Sequence, residues 1–445
     1  MKSWDEALYG VNGLEMIRTG EWIVNTYGYE PDYFNLKPNL WTQFVALSFT
    51  IFGQNLIGMR FFSPVFMLFA AALCTFFSYK KYGSRGALFT LLSFTANRHL
   101  LLYHCARSAD ADSMYILFCT GAFLALADTE RNKKSIYISA LCFSLAFLTK
   151  SFHAGVIVAV ILVFLFTTGE YKKYDLRDTA VCLFLSTAPI FIWAFLRYTK
   201  DRFAFIRKMF SYDLFKSATS ALEGHDEGIL FYVKAELLRS PLALACLLVI
   251  GFVAVLSPKS FYRNKSRYAL LISSVLPFIM FSLVRTRIIW YVYLCYPPLI
   301  VLAADCFQKL TEISDKVIPK LLTVMAVMLC LGTALLNVKS VYSIYPQDKV
   351  LTALQDIIEN SGKIYDRCIY QHYVDPETRL MHEKWRPNAF FIIELYSALR
   401  PKNGNGHEWE KDQEAFLFTT RDQLDAFKNY KIIGSSGDYL MLEHQ

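Results

Sequence analysis

The sequence predicts a polytopic α-helical membrane protein of about ten spans, with one more expected ahead of the amino terminus, and a small C-terminal extracytoplasmic α/β domain. Three observations predict it. Apolar residues make up 54% of the 445 positions and charged residues only 19%, which is more apolar surface than one soluble core hides. They come in long runs, such as Phe61 to Tyr79, Leu183 to Phe195, Leu242 to Leu256 and Leu321 to Leu336, and a span needs about 20 such residues. After residue 338 the runs give way to alternating helix and strand patterns.

Spans are placed near 58–79, 86–104, 112–128, 135–150, 152–168, 178–197, 240–257, 268–285, 288–305 and 318–338. Cytoplasmic loops concentrate lysine and arginine, and the alternate loops differ sharply. One set carries sixteen cations: Lys80, Lys81 and Arg85; Arg131, Lys133 and Lys134; Lys172, Lys173 and Arg177; Lys259, Arg263, Lys265 and Arg267; Lys309, Lys316 and Lys320. The short loops of the other set carry four, Arg107, Lys150, Arg285 and Arg287. The first set is assigned to the cytoplasm, which puts residues 1–57, the 198–238 loop and everything after 338 on the outer face of a bacterial-type plasma membrane. No signal peptide or opening span precedes Trp4, so a further amino-terminal span is expected.

The chain divides on this reading into a first outer loop (1–57), a membrane domain (58–338) and an extracytoplasmic α/β domain (339–445). Within the first loop, 5–19 reads as an amphipathic helix on the membrane surface, with Leu8, Val11 and Ile17 at helical spacing. A second helix over 39–52 follows Pro38 and ends at Phe52-Gly53. The last domain is expected to hold a helix at 347–360, a strand from Lys363 to Tyr370, and a helix near 387–399. A strand at 414–419, a helix from Thr420 to Tyr430, and strands at 431–435 and 438–443 follow. A short linker spans Tyr342 to Gln347.

The net charge of +8 does not point to nucleic acid, since the cations sit in loops between spans. The ten cysteines show no CxxC pair and read as small apolar core residues.

Ionisable residues at span ends are costly and usually face a cavity. Asp5, Glu6, Lys37, Asp110, Asp112, Lys150, His225, Arg285 and Arg287 all fall at the predicted outer boundary. Plainer readings stay open: Asp5 and Glu6 also suit a helix N-terminus, and Lys150 suits a snorkelling lysine. The 198–238 loop is basic where few cations are expected, which calls for an anionic partner.

Taken in order, these residues resemble glycosyltransferase superfamily C, specifically the protein O-mannosyltransferase and lipid A aminoarabinose transferase family. The strongest block runs from Trp4-Asp5-Glu6-Ala7 through Glu15 to Trp22, then Lys37-Pro38-Asn39-Leu40 and Phe52-Gly53, to Arg60-Phe61-Phe62-Ser63. Arg107 to Phe118 with Asp112, Leu148-Thr149-Lys150, and Arg287-Ile288-Ile289-Trp290-Tyr291 leading to Tyr296-Pro297-Pro298 supply the rest. The sequence departs from the family pattern at Arg287, where lysine is more usual, at Asn39, and at Ser151-Phe152.

The resemblance implies transfer of a sugar from a polyprenyl-phosphate-linked donor to a lipid, protein or glycan acceptor, with inversion. It implies Asp5 as the base, with Glu6 and Asp112 orienting sugar or acceptor. Lys37, Arg287, Lys150, Lys216, His225 and Tyr291 are the candidates for holding the donor phosphate. Fixed cations make a metal dispensable on this logic, and a divalent ion stays open. The competing classes are a transporter or flippase, and a polymerase or ligase, of lipid-linked sugars.

Overall fold

The computed structural model describes residues 4–216, 227–256, 258–313, 317–342, 348–361, 366–374 and 381–445. By their contacts these residues form two compact units. One gathers Met1–Asn35, Thr42–Arg60 and Ile344–Gln445, and the other Leu36–Trp41 and Phe61–Ser343.

The first unit is an α/β body. Four of its strands, β3 (Cys368–Val374), β6 (Phe416–Thr420), β7 (Tyr430–Ser436) and β8 (Tyr439–His444), belong to a six-stranded sheet. The short strands β4 (Met381–His382) and β5 (Arg400–Pro401) both pair with β3, and the main order is β4-β3-β6-β8-β7. β3 and β6 run parallel, while β6, β8 and β7 are antiparallel. All five residues of β6 are buried, as a central strand covered on both faces requires.

Helix Lys349–Asn360 buries Ala353, Leu354, Ile357 and Ile358, its apolar stripe, and packs on β7, β8 and helix Pro387–Tyr396. The segment expected as a helix from Thr420 to Tyr430 is instead a 3-10 stretch, Arg421–Ala426, with no buried residue. It offers no apolar face that a longer helix would cover. The expected strand at 363–370 begins at Cys368, and residues 363–365 lie outside the described ones.

The amino-terminal helix is Trp4–Thr19, close to the expected bounds, but its surroundings differ. Every residue from Glu6 to Met16 is buried, so neither face is solvated over that stretch, where one solvated face was expected. Gly10 shows why: a Cβ there would stand 2.5 Å from Phe391 Cε2 and 2.8 Å from Met59 Sδ. The polar residues on the helix are answered internally. Asn12 donates to the Thr26 carbonyl at 2.6 Å and to Asp32 Oδ2 at 3.1 Å.

Glu15 accepts the backbone N–H groups of Gly28 at 2.6 Å and Tyr29 at 3.1 Å. The Glu394 carboxyl faces it, and burial together with the Glu15 charge pushes Glu394 well above the ordinary carboxylate range. Burial also raises Glu15. Burial and mutual repulsion thus make this carboxyl pair hold a proton more tightly than a free carboxylate does.

The second unit is helical. Asp112–Asp128 is its centre and packs against Ser135–Lys150, Phe62–Tyr82, Lys265–Leu283 and Tyr296–Glu312. Among the described residues, six helical stretches are long and apolar enough to cross a membrane: Leu56–Tyr82, Ser135–Thr168, Leu176–Asp201, Lys265–Leu283, Ile289–Glu312 and Val317–Val341. Leu40–Phe52 and Pro241–Leu256 are apolar but shorter. The run expected as one helix over 86–104 is broken. Ser84–Ala96 stops at Asn97, whose extended backbone and side-chain bond from Leu100 N cap a separate short helix, Arg98–Leu102. A local asparagine cap outcompetes continuation of the first helix. All ten cysteines are unpaired.

Candidate active site

The polar cluster of the helical unit grows from the amino-terminal end of Asp112–Asp128. Asp112 opens that helix and is buried, where the helix dipole favours a negative charge. Lys150 closes Ser135–Lys150, the helix packed alongside. Ser151 at φ +56° then turns the chain sharply away. The two ends meet: Lys150 Nζ lies 2.5 Å from Asp112 Oδ1, and both side chains are under a tenth exposed.

Two aromatic rings flank the ammonium, Tyr115 at 5.8 Å and Tyr291 at 5.6 Å from their centroids. An ammonium has three donors, and Asp112 takes one of them. Tyr115 donates to the His153 carbonyl at 2.8 Å, and the His153 ring lies edge-on to Tyr291 at 4.7 Å. Lys150 is thus fixed in a pocket built by three separate elements.

Asp110, two residues before Asp112, is 1% exposed. It accepts from Ser108 Oγ at 2.5 Å, and His104 Nδ1 stands 3.3 Å from its Oδ2. His104 sits at φ +53° and stacks on Trp290 with centroids 3.6 Å apart. Trp41, itself buried, donates from Nε1 to the Ala109 carbonyl at 2.8 Å. That bond ties the 36–41 segment, with half-buried Lys37, to the loop bearing Asp110.

The remaining predicted residues are placed as follows. Tyr291 lies in the cluster, in the 3-10 segment Ile289–Cys295. Arg287 is buried and donates from Nε to the Ser282 carbonyl at 3.0 Å, and from Nη1 to the Glu227 carbonyl. Part of its guanidinium is therefore committed to backbone. In the α/β unit, Asp5 is half-buried in the first turn of Trp4–Thr19. Glu6 is buried and clasped by Arg60 through two bonds, at 2.5 and 2.8 Å. Such a bidentate pair fixes the helix start. The backbone of Lys216 ends the π-helical stretch Met209–Lys216; its side chain, and all of His225, lie outside the described residues.

Sequence reasoning missed a second cluster. Glu236 is 2% exposed and sits 2.8 Å from His99 Nδ1, and it accepts from Tyr296 Oη at 2.6 Å. His99 stacks on Tyr293 at 5.0 Å. An acid five residues before the apolar run that opens at Pro241 was a usable signal, but His99 became its partner only through the unforeseen break at Asn97.

The 37–197 segment matches the family described as dolichyl-phosphate-mannose-protein mannosyltransferase. Over 98% of this chain and 93% of the other, the fold superposes with a TM-score of 0.74, at 13% identity, on ArnT from Cupriavidus metallidurans bound to undecaprenyl phosphate. The family match over 37–197 and the shared fold agree with the resemblance to the mannosyltransferase- and aminoarabinose-transferase-like group.

Two curated relatives are similar to this chain over 68% of its length. One is an uncharacterized protein of Aquifex aeolicus, 23% identical over 308 residues. The other is the undecaprenyl phosphate-alpha-4-amino-4-deoxy-L-arabinose arabinosyl transferase of Shewanella sediminis, 25% identical over 309 residues. The chain covers 58% of the first and 55% of the second, and so spans somewhat more than half their length.

Proposed function

We propose that this chain transfers a sugar from a polyprenyl-phosphate-linked donor to a lipid, protein or glycan acceptor, on the membrane face opposite the cation-rich loops. The observation that carries the reading is the buried Lys150–Asp112 pair, which holds one ammonium where it can meet a phosphate. The fold shared with ArnT, a protein whose structure holds undecaprenyl phosphate, supports the donor class.

In the proposed reaction the acceptor oxygen or nitrogen attacks the anomeric carbon as the bond from that carbon to the phosphate oxygen breaks. A base takes the acceptor proton, and the polyprenyl phosphate departs as an anion. Asp5 is assigned as the base, and a single displacement inverts the anomeric centre. Lys150, oriented by Asp112 and fenced by Tyr115 and Tyr291, neutralises the charge that grows on the leaving phosphate, the usual site of the largest electrostatic gain. Lys37 and Arg287 add positive charge to the same role, and no metal is required by these steps.

The test is transfer from a purified polyprenyl-phosphate sugar to membrane extract, read by mass spectrometry. Asp5→Asn abolishes product while the protein still folds. A flippase or transporter keeps its activity in that variant, so persistence of sugar movement without product would decide for transport. Labelling of cysteines placed at positions 5 and 259 tests the assigned face; reaction of both from one side of the membrane would refute it.

A further inference from the structure

The α/β unit carries an open cleft of about 650 Å³ that the transfer chemistry above does not use. Arg18, Tyr29, Tyr396 and Arg400 line it, over an apolar floor that includes Leu395 and Ala398.

The cleft is built at some conformational cost. β1 (Thr26–Tyr27) and β2 (Glu30–Pro31) form a hairpin whose two-residue turn is Gly28-Tyr29, at φ +68° and +63°. Asparagine, aspartate or glycine normally fills both such positions, and a bulky residue at positive φ is an outlier that surrounding structure must impose. Here the buried Glu15 carboxylate imposes it by accepting both turn amides. The result is a tyrosine ring standing in the cleft, 41% exposed. Arg18 reaches it from the helix, donating to Tyr29 Oη at 3.2 Å and anchoring its other nitrogen on the Glu394 carbonyl at 2.5 Å. Arg400 closes the other side, paired with exposed Asp366 at 2.6 Å.

Two guanidiniums bind an anionic group with direction, and an exposed and a half-buried tyrosine, Tyr29 and Tyr396, suit the apolar face of a sugar ring. We propose that this cleft binds a saccharide that carries an anionic group, with Arg18 and Arg400 on the anion and Tyr29 and Tyr396 on the sugar. The binding stands on this geometry alone; its assignment to the acceptor rests on the transferase reading above.

Calorimetric titration of the full-length protein in lipid nanodiscs tests it, with glucose 1-phosphate, glucose and inorganic phosphate as probes. Glucose 1-phosphate is expected to bind saturably, and glucose or inorganic phosphate alone at least about tenfold more weakly, since each lacks one half of the contact. Arg400→Gln, which touches no buried partner, and Tyr29→Gly, which relieves the turn while removing the ring, each weaken binding about tenfold. Asp366→Asn frees Arg400 and tightens it. Inorganic phosphate matching glucose 1-phosphate, or unchanged affinity in both Arg400→Gln and Tyr29→Gly, overturns the proposal. Asp112→Asn separates the two readings. Binding is expected to persist in it while transfer is lost; retained transfer with intact binding would count against the Lys150–Asp112 pair as the transfer site and leave the cleft standing.

Discussion

The central helix Asp112–Asp128 of the helical unit, 17 residues and so about 25 Å long, has very different chemistry at its two ends. At the Asp128 end every named carboxylate meets a lysine or arginine. Lys81 lies 3.3 Å from Asp128 and donates to Ser266 Oγ, Arg267 grips Asp305 with two nitrogens, and Glu170 is shared by Lys173 and Lys265. At the Asp112 end Lys150 meets Asp112, while Asp110 stands against His104 and the Ser108 hydroxyl, and Glu236 against His99 and the Tyr296 hydroxyl. Fully matched ion pairs hold helices in register. Buried acids set against histidines and hydroxyls are instead the arrangement expected where a ligand is bound and protons move.

The sharpest way to break that contrast is to remove matched pairs. Arg267→Gln strands the buried Asp305 charge and is expected to cost about 3–5 kcal/mol, read as a lower melting temperature, while the rate per folded molecule stays unchanged. Its neutral double variant with Asp305→Asn recovers most of that stability. Lys150→Gln combined with Asp112→Asn likewise removes both charges and keeps the fold, but it is expected to lower transfer by at least about 100-fold, the scale for losing one preorganised charge partner.

A smaller effect sharpens the picture of the α/β unit. Gly10→Ala sets a methyl against Phe391 and Met59 and should cost about 1–3 kcal/mol as overpacking, read by chemical or thermal unfolding.

pH gives a further handle. The Glu394 carboxyl is raised above its ordinary 4.5. Its contribution is therefore fully present below pH 4.5 and is lost as pH rises through the folded value. Glu394→Gln, which can still donate to Glu15, should flatten that decline, so its advantage in melting temperature over the native protein grows with pH. The smallest expected effect is that of a chelator: with fixed cations on the phosphate, EDTA should leave the transfer rate unchanged.

Much of this was legible in the sequence because it is local. The helix bounds at Asp112, Ser135 and Lys150, the stop at Phe52-Gly53 and the paired strands near the C-terminus follow from runs, caps and alternation that each lie within about 20 residues. Asp112, Lys150 and Tyr291 were singled out one at a time, and the structure brings these three together. What stayed hidden depends on distant segments. Glu15 facing Glu394, Glu6 clasped by Arg60, and Glu236 meeting His99 each require a fold before they exist. Two local errors have local causes: Asn97 capped a new turn inside an apolar run, and Trp4–Thr19 looked amphipathic from the spacing of Leu8, Val11 and Ile17, which cannot show that the polar Asn12 and Glu15 between them are buried too.

The most direct test is the rate of sugar transfer per folded molecule in the Asp112→Asn, Lys150→Gln double variant, measured with a polyprenyl-phosphate sugar beside the Arg267→Gln, Asp305→Asn variant. A loss of at least about 100-fold in the first and none in the second is the result expected. Equal rates in both would contradict the assignment of this end of the helix as the active site.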